Sequence, residues 1–152
     1  MTTRRRTVGT GDVGNFLDIT CYPDSTFATE ITALIAAGTE VEGKLVSLTW
    51  AANYQVTCPA NGAIPDGKII SVEKDATNTY ILGVRLFSYI DQNAVRHTPV
   101  NIINLAYSGT IALQDSVIIN GTTYKYVDDG TTGGWGAVIS IDTTGASVDV
   151  LF

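Results

Sequence analysis

Few residues of this chain could do acid–base, nucleophilic or metal chemistry, and their spacing does not bring them together. His97 is the single histidine, which leaves out multi-histidine metal sites and facial triads. It stands in a polar stretch ahead of Pro99 and reads as a surface residue rather than a proton shuttle. Asp128-Asp129-Gly130 offers two adjacent carboxylates. Neighbouring strand residues point to opposite faces, so the pair fits turn chemistry better than glycoside hydrolysis, and the run lacks the spacing of a cation-binding loop. A hydrolase using Asp128 or Asp129 is the least favoured reading, because neither carboxylate has an evident partner. Cys21 and Cys58 are an even pair but no disulfide framework, and a reduced, partly buried pair suits an intracellular chain. The motifs of serine hydrolases, zincins, P-loops and dinucleotide-binding turns do not occur. The chain reads as a non-enzyme with no cofactor and no metal.

Residues suited to contact are better represented. Arg4, Arg5 and Arg6 hold three of the nine basic residues. They read either as a solvated terminus or as a basic arm that orders on an acidic partner. The net charge of -6, and an arm without interleaved aromatics, argue against general nucleic-acid binding. Trp135 lies among glycines in Thr131-Thr132-Gly133-Gly134-Trp135-Gly136. It is either a core residue at a strand start or an exposed contact for a sugar or a protein. The segment from Asp91 to Thr98, read as a polar loop, adds Arg96 and His97.

The elements that must carry these residues are mostly strands. A phrase recurs three times, as Val41-Glu42-Gly43-Lys44-Leu45-Val46, Pro65-Asp66-Gly67-Lys68-Ile69-Ile70 and Gln114-Asp115-Ser116-Val117-Ile118-Ile119. An acidic residue, a small residue, a spacer and two aliphatics predict a tight turn feeding a buried strand. Further short apolar runs separated by turn signals predict an all-β chain, mainly antiparallel, as a small barrel or sandwich. Asp75-Ala76-Thr77-Asn78 reads as a hairpin connection, and Asn120-Gly121 as a second turn rather than a glycosylation site. One short helix is expected over residues 25–37, with Asp24 or Ser25 as cap, Gly38 as terminator, and Phe27, Ile31, Leu34 and Ile35 on one face.

The second and third phrases share their sequels: a hairpin, a glycine within an aliphatic run (Gly83, Gly136), then a closing strand (100–105, 148–152). This predicts two related β units of about fifty residues. At 152 residues the chain suits one domain with an arm. Its charged fraction of 16% is low enough to suggest a surface partly covered by neighbours. No secretory signal and no run long enough to span a membrane is read.

The order Glu42-Gly43-Lys44-Leu45-Val46, Leu82-Gly83-Val84 and Val100 to Leu105, repeated as Asp115 to Ile119, Gly136-Ala137-Val138 and Ser147-Val148-Asp149-Val150-Leu151, resembles the tailed-phage capsid decoration, or head cement, proteins. The resemblance covers roughly residues 38–152. It implies a β-barrel decoration domain over 38–152, which here follows a segment over 1–37 read as an N-terminal arm with the short helix. It further implies a structural virion protein, made in the host cytoplasm, that binds the outer capsid surface. The implied partners are the major capsid protein and sister copies in a homotrimer, with no nucleic acid, no membrane and no catalytic residue. Contact specificity is then expected outside the repeats, at Arg4, Arg5, Arg6, Arg96, His97 and Trp135. The long N-terminal segment and Ser116 in place of glycine depart from the family's pattern. The alternative is a carbohydrate- or receptor-binding β module of a fibre or surface protein, with Trp135, Tyr124 and Tyr126 as an aromatic platform.

Overall fold

The computed structural model describes residues 12–14, 16–49, 51–90, 93, 95–97, 101–120, 126–130 and 133–152. The fold is all-β with one short helix, as the patterning predicts. Strands β1 (Leu17–Pro23), β2 (Leu45–Thr49), β3 (Gln55–Thr57), β4 (Gly67–Lys74) and β5 (Tyr80–Leu86) close into a barrel in the order β1-β3-β2-β4-β5. Along β5 the side chains alternate between buried and half-buried positions, the two-residue period of a strand with one face on a core. The β4–β5 hairpin forms where expected. The Asp75 carboxylate accepts the N–H groups of Thr77 and Thr79 at 2.8 and 2.9 Å, and Asn78 takes the left-handed conformation that asparagine tolerates.

Helix α1 (Ser25–Ala36) joins this barrel. Asp24 caps it by accepting the Phe27 N–H at 2.7 Å, and Gly38 ends it at φ +69° while donating to the Ile35 carbonyl. Phe27 and Ile31 are fully buried in the barrel core, each contributing about 1.5–3 kcal/mol by apolar burial. Ile35, expected on the same face, is 49% exposed because the face turns away from the barrel within that last turn.

The second unit is a five-stranded sheet ordered β11-β12-β8-β10-β9, built from β8 (Ile102–Tyr107), β9 (Val117–Asn120), β10 (Tyr126–Asp129), β11 (Ala137–Asp142) and β12 (Ser147–Leu151). Val117 and Trp135 exchange main-chain hydrogen bonds of 3.0 and 3.1 Å, which links β9 to the approach to β11. Between the units in sequence lies a small ladder of β6 (Tyr89–Ile90) and β7 (Arg96–His97), so the segment from Asp91 to Thr98 read as a polar loop contributes one of its two strands.

Three expectations are corrected. The division after residue 37 does not follow the sheets: β1 pairs along its length with β5, and Cys21, Phe27 and Ile31 sit in the barrel core. The run from 100 to 105 does not close the first unit. It enters β8, at the centre of the second sheet, because Ile103 and Leu105 complete that core opposite Val148 and Val150. The repeated phrase also forms a turn in only two of its copies. Gly43 at φ +86° and Gln114 at φ +74° turn the chain, whereas Gly67 is extended. A Cβ at Gly67 would stand 2.6 Å from the Arg85 carbonyl oxygen, so that glycine serves a close strand approach.

The two cores meet across β2. Leu45 belongs to the second core and its neighbour Val46 to the first, as the alternation of a strand requires. Phe87, just past β5, also enters the second core and stacks on Phe152 with ring centroids 5.0 Å apart.

Candidate functional site

The residues singled out in the sequence behave mainly as ties between the units. Arg96, on β7, donates to Ser88 Oγ at 2.6 Å and to Asp66 Oδ1 at 3.2 Å, and its guanidinium lies 5.6 Å from the Trp135 ring centroid. Asp66 opens β4 of the barrel and also accepts the Leu48 N–H at 2.9 Å, while Trp135 packs on the second core. One guanidinium therefore holds the small ladder against both units. Trp135 is half-buried, with one face under Arg96, and its indole N–H is buried without an acceptor among the described residues. His97 pairs opposite Tyr89, and as Arg96's strand neighbour it points to the other face of the ladder. Arg4, Arg5, Arg6 and Tyr124 lie outside the described residues, as does Gly121 of the second turn.

A stronger tie escapes sequence reading. Asp12, in the segment taken as a free arm, has a side chain only 4% exposed. It meets Lys68 Nζ at 2.8 Å and Arg85 Nη1 at 3.1 Å, both on the barrel, and accepts the Asn104 N–H of the second sheet at 2.9 Å. Val13 then exchanges two main-chain hydrogen bonds with Ile102. Burial pushes the Asp12 carboxyl up, but Lys68, the Asn104 N–H and Arg85 together outweigh it and hold the group below its ordinary range. Arg85 also grips Asp18 through two 2.8 Å bonds, which lowers that carboxyl, and stacks on Phe16 at 4.4 Å. Asp12's partners are 56, 73 and 92 residues away, and no local pattern signals them.

Among the described residues each lysine and arginine of the body has such a contact. Lys44 pairs with Glu30, Lys68 with Asp12, Arg85 with Asp12 and Asp18, and Arg96 with Asp66; Lys74 lies over the Tyr80 ring. Asp128 and Asp129 are consecutive on β10, and the Asp128 carboxylate accepts the Asp129 N–H at 2.8 Å, a local arrangement rather than a convergent acid–base pair. Cys21 and Cys58 are both free thiols. Cys21 is buried, which pushes its thiol up to about 11, while Cys58 donates to Glu30 at 3.0 Å.

The surface feature with an open face is on the barrel. Ile19, Leu48, Thr49, Ala51, Ala52 and Tyr54 line a cleft between β1 and the turn joining β2 to β3, and Tyr22 adjoins it. Tyr22 and Tyr54 are 41% and 67% exposed there. Tyr54 sits at φ +51°, which costs a side-chain-bearing residue about 1 kcal/mol. Compared with protein-family models, curated proteins and solved structures, the chain matches none.

Proposed function

We propose that this chain is a structural virion protein that binds the outer surface of an assembled phage capsid and stabilises it, docking as a homotrimer on the major capsid protein. The observation that carries the reading is the clamped two-unit body. Asp12 pairs with Lys68 and Arg85 of the barrel and accepts the Asn104 N–H of the second sheet, Arg96 pairs with Asp66 and lies over the Trp135 ring, and the cores share β2, so the chain suits a part that must transmit load without deforming. The net charge of -6, with Lys44, Lys68, Arg85 and Arg96 held in ion pairs, supports solubility before docking and disfavours nucleic acid. The order of the β phrases, which resembles the head cement proteins, adds the capsid as the surface to be bound.

The glycan-binding reading receives less support. A sugar-stacking platform needs a free aromatic face, and Trp135 has one face under Arg96 while it packs on the second core. The deciding experiment mixes the purified chain with preformed shells of the capsid protein encoded alongside it, followed by sedimentation. Saturable co-sedimentation with assembled shells, at a fixed ratio to capsid subunits, is expected. Absence of binding by the folded chain would overturn the reading.

A further inference from the structure

Strand β4 outruns its partner on one side. It pairs with β5 along its whole length, but β2 meets it only at Gly67 and Lys68, and the turn at 41–44 adds main-chain bonds at Ile69. Beyond that point the direction of the main-chain groups is fixed. Asp75 donates its N–H toward β5, to the Thr79 carbonyl at 2.9 Å, so Lys74 and Val72 aim their N–H and C=O groups the other way. Ile69 also aims outward, accepting from Gly43 and donating to Lys44, and the bulge between Ile69 and Ser71 adds the residue that shifts the outward set to Val72 and Lys74. Among the described residues no main-chain partner meets those two. Beside them lies a cleft of about 280 Å³ lined by Ile35, Val41 and Val72, with Glu40 and Glu42 among its other walls. Residues 35–42 and 67–75, which form cleft and edge, are all described.

We propose that this edge takes up an extended basic segment of another protein as an added strand, with one aliphatic side chain seated in the cleft. An open strand edge beside an apolar recess favours a strand, because only a strand supplies matching main-chain groups and an inward side chain together. The residue opposite Val72 shares its face of the sheet, so its side chain enters the space between Val72, Val41 and Ile35. A β-branched aliphatic suits both that space and a strand. The next residue along lies opposite Glu73, which is exposed on the other face. Charge selects the occupant. Glu40, Glu42 and Glu73 are exposed around the site, the last turn of α1 has no basic residue against its negative end, and Lys74 is held over the Tyr80 ring at 4.8 Å. A segment with lysine or arginine on either side of the aliphatic residue complements those carboxylates, and an acidic one is repelled. The described part of this chain offers no such segment, since each of its lysines and arginines is engaged. The occupant therefore comes from another protein, and the inference does not rest on a capsid partner.

The test adds the capped peptide Thr-Lys-Val-Lys-Thr to the full chain and follows the main-chain amides by NMR. Saturable shifts of the Val72 and Lys74 amides are expected, with slower hydrogen exchange at both. The capped peptide Thr-Glu-Val-Glu-Thr should bind at least about tenfold more weakly, because like charges then face Glu73. Methylating the valine nitrogen removes the N–H aimed at Val72 without touching the protein, and should cost about tenfold in affinity. The double variant Glu42→Lys/Glu73→Lys, at two exposed positions, should weaken the basic peptide about tenfold and reverse the preference between the two peptides. Absence of saturable shifts at Val72 and Lys74, equal binding of the acidic peptide, or full affinity of the methylated one would each overturn the proposal. So would amides of Val72 and Lys74 already protected in the free chain, the result expected if a second copy or the chain's own first residues held the edge.

Discussion

Asp12→Asn is the perturbation that probes the body of this molecule most sharply. Asparagine keeps an oxygen for the Asn104 N–H but removes the charge that faces Lys68 at 2.8 Å and Arg85 at 3.1 Å. Deleting one member of a fully buried ion pair costs about 3–5 kcal/mol. Here the surviving cations are 17% and 25% exposed and Arg85 keeps Asp18, so about 2 kcal/mol is the expected loss. That is a large part of a domain's usual 5–15 kcal/mol, and it lowers the melting temperature by about 4–8 °C. Urea denaturation of the two proteins at pH 7 measures the difference directly. Its pH dependence has a fixed sign. The Asp12 carboxyl is held below its ordinary 3.8, so its contribution is complete above about pH 4 and is lost as pH falls through the folded value. Wild type and variant should therefore converge in acid, when protonated Asp12 becomes the neutral equivalent of Asn. A difference under about 0.5 kcal/mol at pH 7, or one that persists undiminished at pH 2, would refute the clamp.

Other expectations are simpler. Arg96→Ala should cost about 1–2 kcal/mol in thermal or urea unfolding by releasing Asp66, Ser88 and the Trp135 face, and Arg96→Lys should recover less than half of it, because lysine lacks the planar fork. Gly67→Ala should destabilise by about 1–3 kcal/mol in the same assay, since the new methyl meets the Arg85 carbonyl oxygen at 2.6 Å. In the native state a thiol reagent at pH 8 should label Cys58 well before Cys21, whose burial pushes its thiol up to about 11; equal rates would contradict the packing around β1.

What was legible in the sequence is what neighbours along the chain decide. The alternation of β5, the Asp24 cap with Gly38 as terminator, and the Asp75 hairpin each need only a few adjacent residues, and each is found where its pattern points. Partner choice between distant strands is another matter. Nothing local tells β8 to lie between β12 and β10, or tells β1 to meet β3 in parallel at two positions. The repeated phrase misled at Gly67 because a positive-φ glycine and a close-approach glycine look the same in sequence. The site was less legible than the fold. Arg96 and Trp135 stood out by residue type, yet their packing against each other, and Asp12's grip on residues from both units, arise only from tertiary contact.

The central proposal, a chain that cements an assembled shell, is tested most directly by the thermal stability of the shell itself. Shells of the capsid protein encoded alongside this chain should melt at a higher temperature as the chain is added, with the rise saturating at a fixed ratio to capsid subunits. Asp12→Asn should give a smaller rise, because the load then passes through a loosened body. Shells that bind the chain to saturation and melt at an unchanged temperature would contradict the account.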